Sequence, residues 1–529
     1  MKREMMLDKL EEGKMNFDFI IAGGGATGIG IALEAASRGY SAVLFEKSDF
    51  VKSTSSKSTK LVHGGVRYLA QGDVVLVREA CVERGRLLSN APHLVRNQPF
   101  VIPAFSWFDE FLYTAGLKVY DLLAGRYSMG RSERISKKDV LKKLPSVSGK
   151  RLNAGIQYYD GQFDDARLAV NVLQTAAGYG AVVLNYMPVE GLVKDGSGRI
   201  KGVRARDLLN DREYEVMGSV VVNAAGVFAD EIMKMDNPEM KPTMRPSQGI
   251  HIVVEKSFLP GDHALMIPKT DDGRVLFAVP WHGKVVIGTT DTPVDRPSLE
   301  PVALEKEIEF ILSTAGKYLE KAPARSDVLS IFAGLRPLAA AKNDNGKKTR
   351  EISRSHKIIV SRNGLMTMIG GKWTTFRRMA EDMVTRAEKE NRWGRTSSAT
   401  RNMKIRGYSA GVDYNDPWYY YGADRDAVAG LAVDDPSLDG YLSERLSVKK
   451  AQVVWAVREE MAMTVEDVLS RRTRCQLLDA AESMRMARET AEIMARELGR
   501  DRQWIDDQVS SYEHVTKNYL PPVEGGTKE

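Results

Sequence analysis

Three glycines spaced Gly23-x-Gly25-x-x-Gly28, in the stretch "FDFIIAGGGATGIG", are the residues whose type and spacing first suggest a ligand. Lacking side chains, they permit a sharp turn and let the backbone approach a pyrophosphate held at the positive end of a helix. The setting agrees: residues 17–22 read as an apolar strand and residues 29–38 as a helix. A second strand, "SAVLFEK", ends at Glu46, the separation at which a carboxylate reaches ribose hydroxyls. Together they predict a dinucleotide site.

Three further segments bear on which dinucleotide it is. A nicotinamide enzyme would continue with further βα units, but here the polar loop "KSTSSKSTKLVHGGVRYL" intervenes, with the hydroxyls of Thr54, Ser55 and Ser58 and the paired Gly64-Gly65. "GSVVVNAAGVFAD" (218–230) is a buried strand running into a small-residue turn at Ala225 and Gly226. "MTMIGGKWTTFRRMAEDMV" (366–384) is another strand, a turn at Gly370-Gly371, and a helix starting near Thr374. A helix N-terminus aimed at the ring would stabilise the anion of a reduced flavin, and a nicotinamide has no comparable anion. The reading is therefore a flavin dinucleotide, FAD.

The elements that position these residues must come from more than one domain, because 529 residues exceed one hydrophobic core. A hydrophobic fraction of 43% and a charged fraction of 28% are those of an ordinary globular protein. A net charge of +6 is small for a nucleic-acid binder, though it mildly favours phosphorylated substrates or an anionic membrane surface. Two distant cysteines, Cys81 and Cys475, argue against a disulfide framework, a zinc site or a dithiol centre, so no metal is expected. The charged opening "MKREMMLDKLEEGKMN" is not a secretory signal, and no apolar run reaches 18 residues. The expected location is cytoplasmic, or peripheral on the inner face of the cell membrane.

In the order "GGGATG", "TSSKSTKLVHGGVRYL", "VVNAAGVFAD", "GIHIVV", "VVIGTTD", "AGLRPL" and "GGKWTT", the chain resembles the FAD-dependent, quinone-linked glycerol-3-phosphate dehydrogenases of the D-amino-acid-oxidase-like flavoproteins. "MTVEDVLSRRTR" (463–474) resembles the family's C-terminal helical domain. Two departures are visible: Ala224-Ala225 lacks a threonine common in related sequences, and Lys57 adds a charge to the polar loop. The resemblance implies an α/β plus α architecture with a Rossmann-like FAD domain (16–92, 155–240, 330–385). An antiparallel substrate sheet (93–154, 241–329) and a helical domain (395–529) complete it. No catalytic role is assigned to the helical domain, whose methionine stripe reads as core.

The resemblance also implies site residues. Cofactor contacts would come from Gly23, Gly25, Gly28, Glu46, Thr54, Ser55, Ser58, Lys60, His63, Gly64, Gly65, Ala225, Gly226, Gly371, Lys372 and Thr374. Arg67, Tyr68, Arg336, Arg354 and Lys372 would hold glycerol 3-phosphate, because guanidinium forks suit a phosphate dianion. His63 or His251 would take the hydroxyl proton, and Arg336 would orient the substrate oxygen. Electrons would pass to membrane quinone. "FSWFDEFLYTAGLKVYDLLAGR" offers an amphipathic helix with Trp107, Phe108, Phe111, Leu112, Ala115, Val119, Leu122 and Leu123 on one side, suited to a bilayer interface or to packing on the protein itself. A homodimer is compatible with this reading. The alternatives are an oxidase passing electrons to oxygen, and a flavin-binding protein without turnover.

No histidine or cysteine is placed for covalent flavin attachment, so the purified protein should be yellow with releasable FAD. Acid precipitation should leave the flavin in the supernatant; a colourless protein that binds NAD tightly would contradict the reading.

Overall fold

The strand Asn16–Ala22 is buried along nearly its whole length, as an apolar strand flanked on both faces must be. It lies between Arg212–Asn223 and Ala42–Phe45, parallel to both. Met366–Ile369 and Val182–Leu184 extend the parallel set on either side. The computed structural model describes residues 1–12, 15–69, 72–270, 273–339 and 356–522, apart from the side chain of Arg67. Within it the first sheet has eight strands, including the hairpin strand Lys357–Val360 and a meander through Val189–Lys194 and Ile200–Asp207.

The direction of these strands matters more than their number. Ala22, Phe45, Asn223 and Ile369 are the last residues of their strands, and all four strands run the same way. Gly23, Glu46, Ala224–Gly226 and Gly370-Gly371 therefore meet at one edge of the sheet, although they are spread over some two thirds of the sequence. Carboxyl ends of parallel strands are where such sheets bind ligands. The helices Ala26–Ser37, Asp165–Gly178 and Phe376–Glu390 cover one face.

A second sheet of ten strands is mostly antiparallel, with Ala264–Ile267 parallel to Val95–Ala104. Its centre is Met244–Glu255 paired with Val328–Ala339 and Lys284–Gly288. Ala154–Phe163 and Val328–Ala339 belong to this sheet by hydrogen bonding, so pairing divides the chain a little differently from the sequence boundaries at 155 and 330. Helix Glu305–Tyr318 packs behind it through Ile308 and Ile311. The N-terminal segment, read from sequence only as charged, forms helix Arg3–Glu12 and docks by a buried ion pair between Arg3 and Asp207 (2.8 Å).

Beyond residue 395 the chain is chiefly helical, with Lys450–Glu460, Ala480–Leu498 and Arg502–Thr516 around a core that includes Val453, Met486, Met494 and Tyr512. Ala480–Leu498 is delimited by chemistry: the Asp479 carboxylate accepts from the Glu482 amide, and Gly499 closes the helix at φ 63°. This domain packs on the second sheet, where Leu477, Leu478 and Tyr519 meet Val253, Trp281 and Phe332.

The tightest constraint is at the first turn. A Cβ on Gly23, which sits at φ 111°, would lie 2.7 Å from the Ala224 carbonyl oxygen, and one on Gly28 would overlap the Gly23 carbonyl. Gly28→Ala should therefore cost about 3 kcal/mol or more, since backbone cannot yield as a side chain can. Gly178→Ala, on an exposed helix end with open space around it, should stay within about 0.5 kcal/mol. Urea midpoints of the two variants check the contrast.

Candidate active site

A cleft of about 1180 Å³ opens at the shared carboxyl edge of the first sheet. Gly23, Gly25, Glu46, Ala225, Gly226 and Gly371 line it, with Thr54 and Ser55 from the polar loop on its other side. Helix Ala26–Ser37 faces the cleft with Gly25 at its N-cap and no capping side chain. Ser55 Oγ accepts from the Ala26 amide (3.0 Å), which ties the loop to the helix start. Such an end, with a glycine where a side chain would intrude, receives a phosphate.

Glu46 ends the second strand as expected, and its carboxylate accepts from the Gly24 amide (2.6 Å) and the Ser48 amide (3.0 Å). Burial pushes the carboxyl up, and these hydrogen bonds work against that. The cleft continues past Gly371, Lys372 and Trp373 into a chamber of about 1080 Å³ between the two sheets. A long cleft with a glycine turn, a terminal acid and a chamber at its far end fits an extended dinucleotide whose ring system enters the chamber.

The chamber gathers His63, Tyr68, His251, Arg336, Lys372 and Thr374. Strand register brings the second-sheet members together: Ser247 pairs with Arg336, and His251 lies opposite both Phe332 and Gly288. Two glycines make the room. A Cβ on Gly249 would strike the Arg336 guanidinium, and one on Gly288 would strike the His251 ring. That accounts for the glycines of "GIHIVV" and "VVIGTTD".

Arg336 is held from several directions, by the Asp291 carboxylate (3.1 Å), Thr289 Oγ1 (3.1 Å), and the carbonyls of Thr290 (2.9 Å) and Gln248 (3.3 Å). It is half-buried and pre-oriented, so little freedom remains to be lost on binding. His251 is buried, stacks on Phe332 at 4.9 Å between centroids, and has Nε2 2.9 Å from Thr59 Oγ1. Its Nδ1 is a buried polar atom without a protein partner. Burial, then the charges of Arg336 and Lys60, hold this imidazole well below its ordinary 6.5, so it is neutral near pH 7. The His63 amide donates to Thr374 Oγ1 (3.2 Å), joining the polar loop to the turn after the last parallel strand. The Lys372 ammonium sits 3.7 Å over the Tyr68 ring.

Some expected residues are used differently. Lys60 is fully buried, with its ammonium 2.8 Å from both oxygens of Asp165, and it lines neither the cleft nor the chamber. Ser58 reaches the chamber wall, but its hydroxyl donates to Asp165 (2.7 Å). The Gly64 amide points to the Tyr120 hydroxyl (2.9 Å), which binds the Asp160 carboxylate held by Arg84. Gly65 lines an adjoining pocket of about 890 Å³ with His63 and Arg336. Gly28 serves the turn from inside. Arg67 lies in helix Val66–Leu69, but its side chain lies outside the described residues, as does all of Arg354.

Sequence reading missed Thr59 against His251, Asp291 against Arg336, and Trp373, whose Nε1 donates to the Ser55 carbonyl (2.7 Å). The acid that closes "VVIGTTD", three residues past the buried strand Lys284–Gly288, was an available signal.

The family model for FAD dependent oxidoreductases matches residues 18–377, and that for the C-terminal domain of alpha-glycerophosphate oxidase matches residues 398–505. A probable mitochondrial glycerol-3-phosphate dehydrogenase of Dictyostelium discoideum is 38% identical over 98% of this chain and 86% of its own. The mitochondrial glycerol-3-phosphate dehydrogenase of Rattus norvegicus is 37% identical over 94% of this chain and 72% of its own. The crystal structure of the Bacillus halodurans glycerol-3-phosphate dehydrogenase complexed with FAD superposes with a TM-score of 0.80, at 28% identity, over 99% of both chains. Cleft, chamber and likeness along nearly the whole length agree, and the chain belongs to the FAD-dependent glycerol-3-phosphate dehydrogenases.

Proposed function

We propose that the protein oxidises sn-glycerol 3-phosphate to dihydroxyacetone phosphate and passes the electrons to quinone in a membrane on whose cytoplasmic face it docks. The observation that carries the reaction is the chamber itself, where His63, His251, Arg336 and Lys372 converge at the end of the dinucleotide cleft. FAD, held in the cleft by residues such as Gly23, Glu46 and Gly371, would supply the acceptor for the hydride of the substrate carbinol carbon.

The chain's own residues do the rest. Arg336, held rigid by Asp291 and Thr289, orients the substrate oxygen and stabilises it as the proton leaves. Lys372 contributes a second cation at the join of cleft and chamber. Arg67 and Arg354 are assigned to the phosphate. His251 is the proton acceptor in this reading: it is kept neutral, and Arg336 and Lys60 disfavour its protonated form, which promotes onward release of the proton.

Helix Trp107–Ala124 supports the membrane step. Trp107, Phe111 and Leu122 are 76%, 68% and 79% exposed, while Leu117 and Tyr120 on the other side are buried. Among the described residues no helix is long and apolar enough to cross a membrane, so this face would rest in the bilayer interface. Tyr120, on its buried side, is bonded to the Gly64 amide beside the chamber.

Arg336→Lys keeps the charge but loses the planar fork, and kcat/KM for glycerol 3-phosphate should fall about 10- to 100-fold with the flavin spectrum preserved. Near-normal turnover would remove Arg336 from the site. Because the folded pKa of His251 lies below its ordinary value, the neutral base persists as pH falls, and anaerobic flavin reduction should stay flat between about pH 8 and pH 6. A limb centred on about 6.5 would contradict His251 as the acceptor.

Docking should show as co-sedimentation with anionic vesicles, abolished by paired Phe108→Ser and Phe111→Ser changes that spare reduction of a soluble dye. Each phenylalanine contributes about 1.5–3 kcal/mol at full burial, so partition should drop about 100-fold or more. Vesicle binding untouched by both changes, with stoichiometric peroxide formed in air, would contradict both the anchor and the quinone.

A further inference from the structure

We infer that residues 463–474 of the C-terminal domain clamp the cofactor loop, residues 48–60, and thereby set how tightly FAD is kept. The inference rests on FAD occupying the cleft described above. Among the described residues the C-terminal domain lines neither the cleft nor the chamber. Its influence on the cofactor must pass through the loop.

The loop needs such support. It joins Ala42–Phe45 to Leu61–Val62 with only the short turn of helix Thr54–Ser56 inside it. Lys52, Ser53, Thr54 and Ser55 line the cleft, and Thr54 and Lys57 line the chamber. Phe50 and Val51 anchor it in the core, but its other residues are polar and lose conformational entropy on ordering.

Ion pairs fix its first half. Asp49 is fully buried, with one oxygen 2.7 Å and the other 2.9 Å from the Arg472 guanidinium, and Arg471 bonds it as well. Arg471 also holds Glu466 (2.8 Å) and Asp467 (2.9 Å). The second oxygen of Glu466 takes the Lys52 ammonium at 2.8 Å. Acids and cations thus alternate from Asp49 through Arg471 and Glu466 back to Lys52, which lines the cleft.

The same short motif reaches the other end. Lys60 and Ser58 are held by Asp165, and the neighbouring Asp164 is held by Arg474 and His282, each at 2.9 Å. Arg471 and Arg472 of "RRTR" therefore fasten the first half of the loop directly, and Arg474 meets its other end through Asp164, the residue beside Asp165. The backbone departs from ordinary helix to allow it: Asp467–Arg472 is wound as a π-helix, and Arg474 sits in the left-handed region at φ 62°. Both are features that persist where the surroundings demand them.

The experiment uses the full chain with Lys52→Met, Glu466→Gln and the double variant, because Lys52 and Glu466 are the less buried members (18% and 14% exposed). FAD release is followed by fluorescence on dilution, and the apoprotein is melted separately. Each single change should speed FAD release about 10-fold or more, as expected for loss of a charged hydrogen bond. The double variant should match Glu466→Gln within about 3-fold, since that change already removes the Lys52 contact along with the charge facing Arg471, and the apoprotein should melt within about 2 °C of the parent. Unchanged FAD release in both singles would overturn the clamp. So would apoprotein melting that falls as far as holoprotein melting, because the motif would then merely dock one domain on the other.

Discussion

The site depends on a place where backbone meets backbone. At the end of Asn16–Ala22 the chain turns so tightly that a Cβ on Gly28 would overlap the Gly23 carbonyl, and one on Gly23 would meet the carbonyl of Ala224, just past the neighbouring strand. This contact sets the spacing of two parallel strand ends and of the helix that starts between them. The cleft follows from that spacing, because Glu46 and Ala225 follow strands that end level with Ala22, and Gly371 follows one that runs two residues further. The second sheet then closes the far end of the cleft with Arg336 and His251.

Charge is sorted by where it faces. Lys60–Asp165, Arg84–Asp160 and Arg472–Asp49 are buried pairs that shape loops, and removing one partner would strand a charge in low dielectric. Burial would raise the Asp49 carboxyl, but Arg472 and Arg471 outweigh it and hold it below the usual carboxylate range. Arg336 and Lys372 instead face the chamber, where they would meet an anionic substrate. The same residue types do scaffolding in one place and recognition in the other, and geometry separates the two.

Much of the cofactor site was legible because its signals are local. Glycine spacing, a strand before it, a helix after it and an acid at the next strand end need no knowledge of distant residues. Lys60 and Ser58 show where that runs out: both lie in the loop read as cofactor-binding, yet Asp165, more than a hundred residues on, takes them. The neutral state of His251 depends on burial and on Arg336 from another strand, which no spacing reveals. The apolar stripe of Trp107–Ala124 was equally open to packing or exposure from sequence, and only the fold leaves it facing outward. The arginines of residues 463–474 carry no role from sequence, and only the fold shows their partners in the first sheet's loop.

The central claim is that this chamber takes a hydride from glycerol 3-phosphate. Anaerobic titration of the FAD-loaded protein tests it most directly, with absorbance of the oxidised flavin followed as substrate is added. The account predicts complete bleaching by glycerol 3-phosphate with one dihydroxyacetone phosphate formed per flavin. A flavin left oxidised by glycerol 3-phosphate but bleached by an amino acid would contradict it.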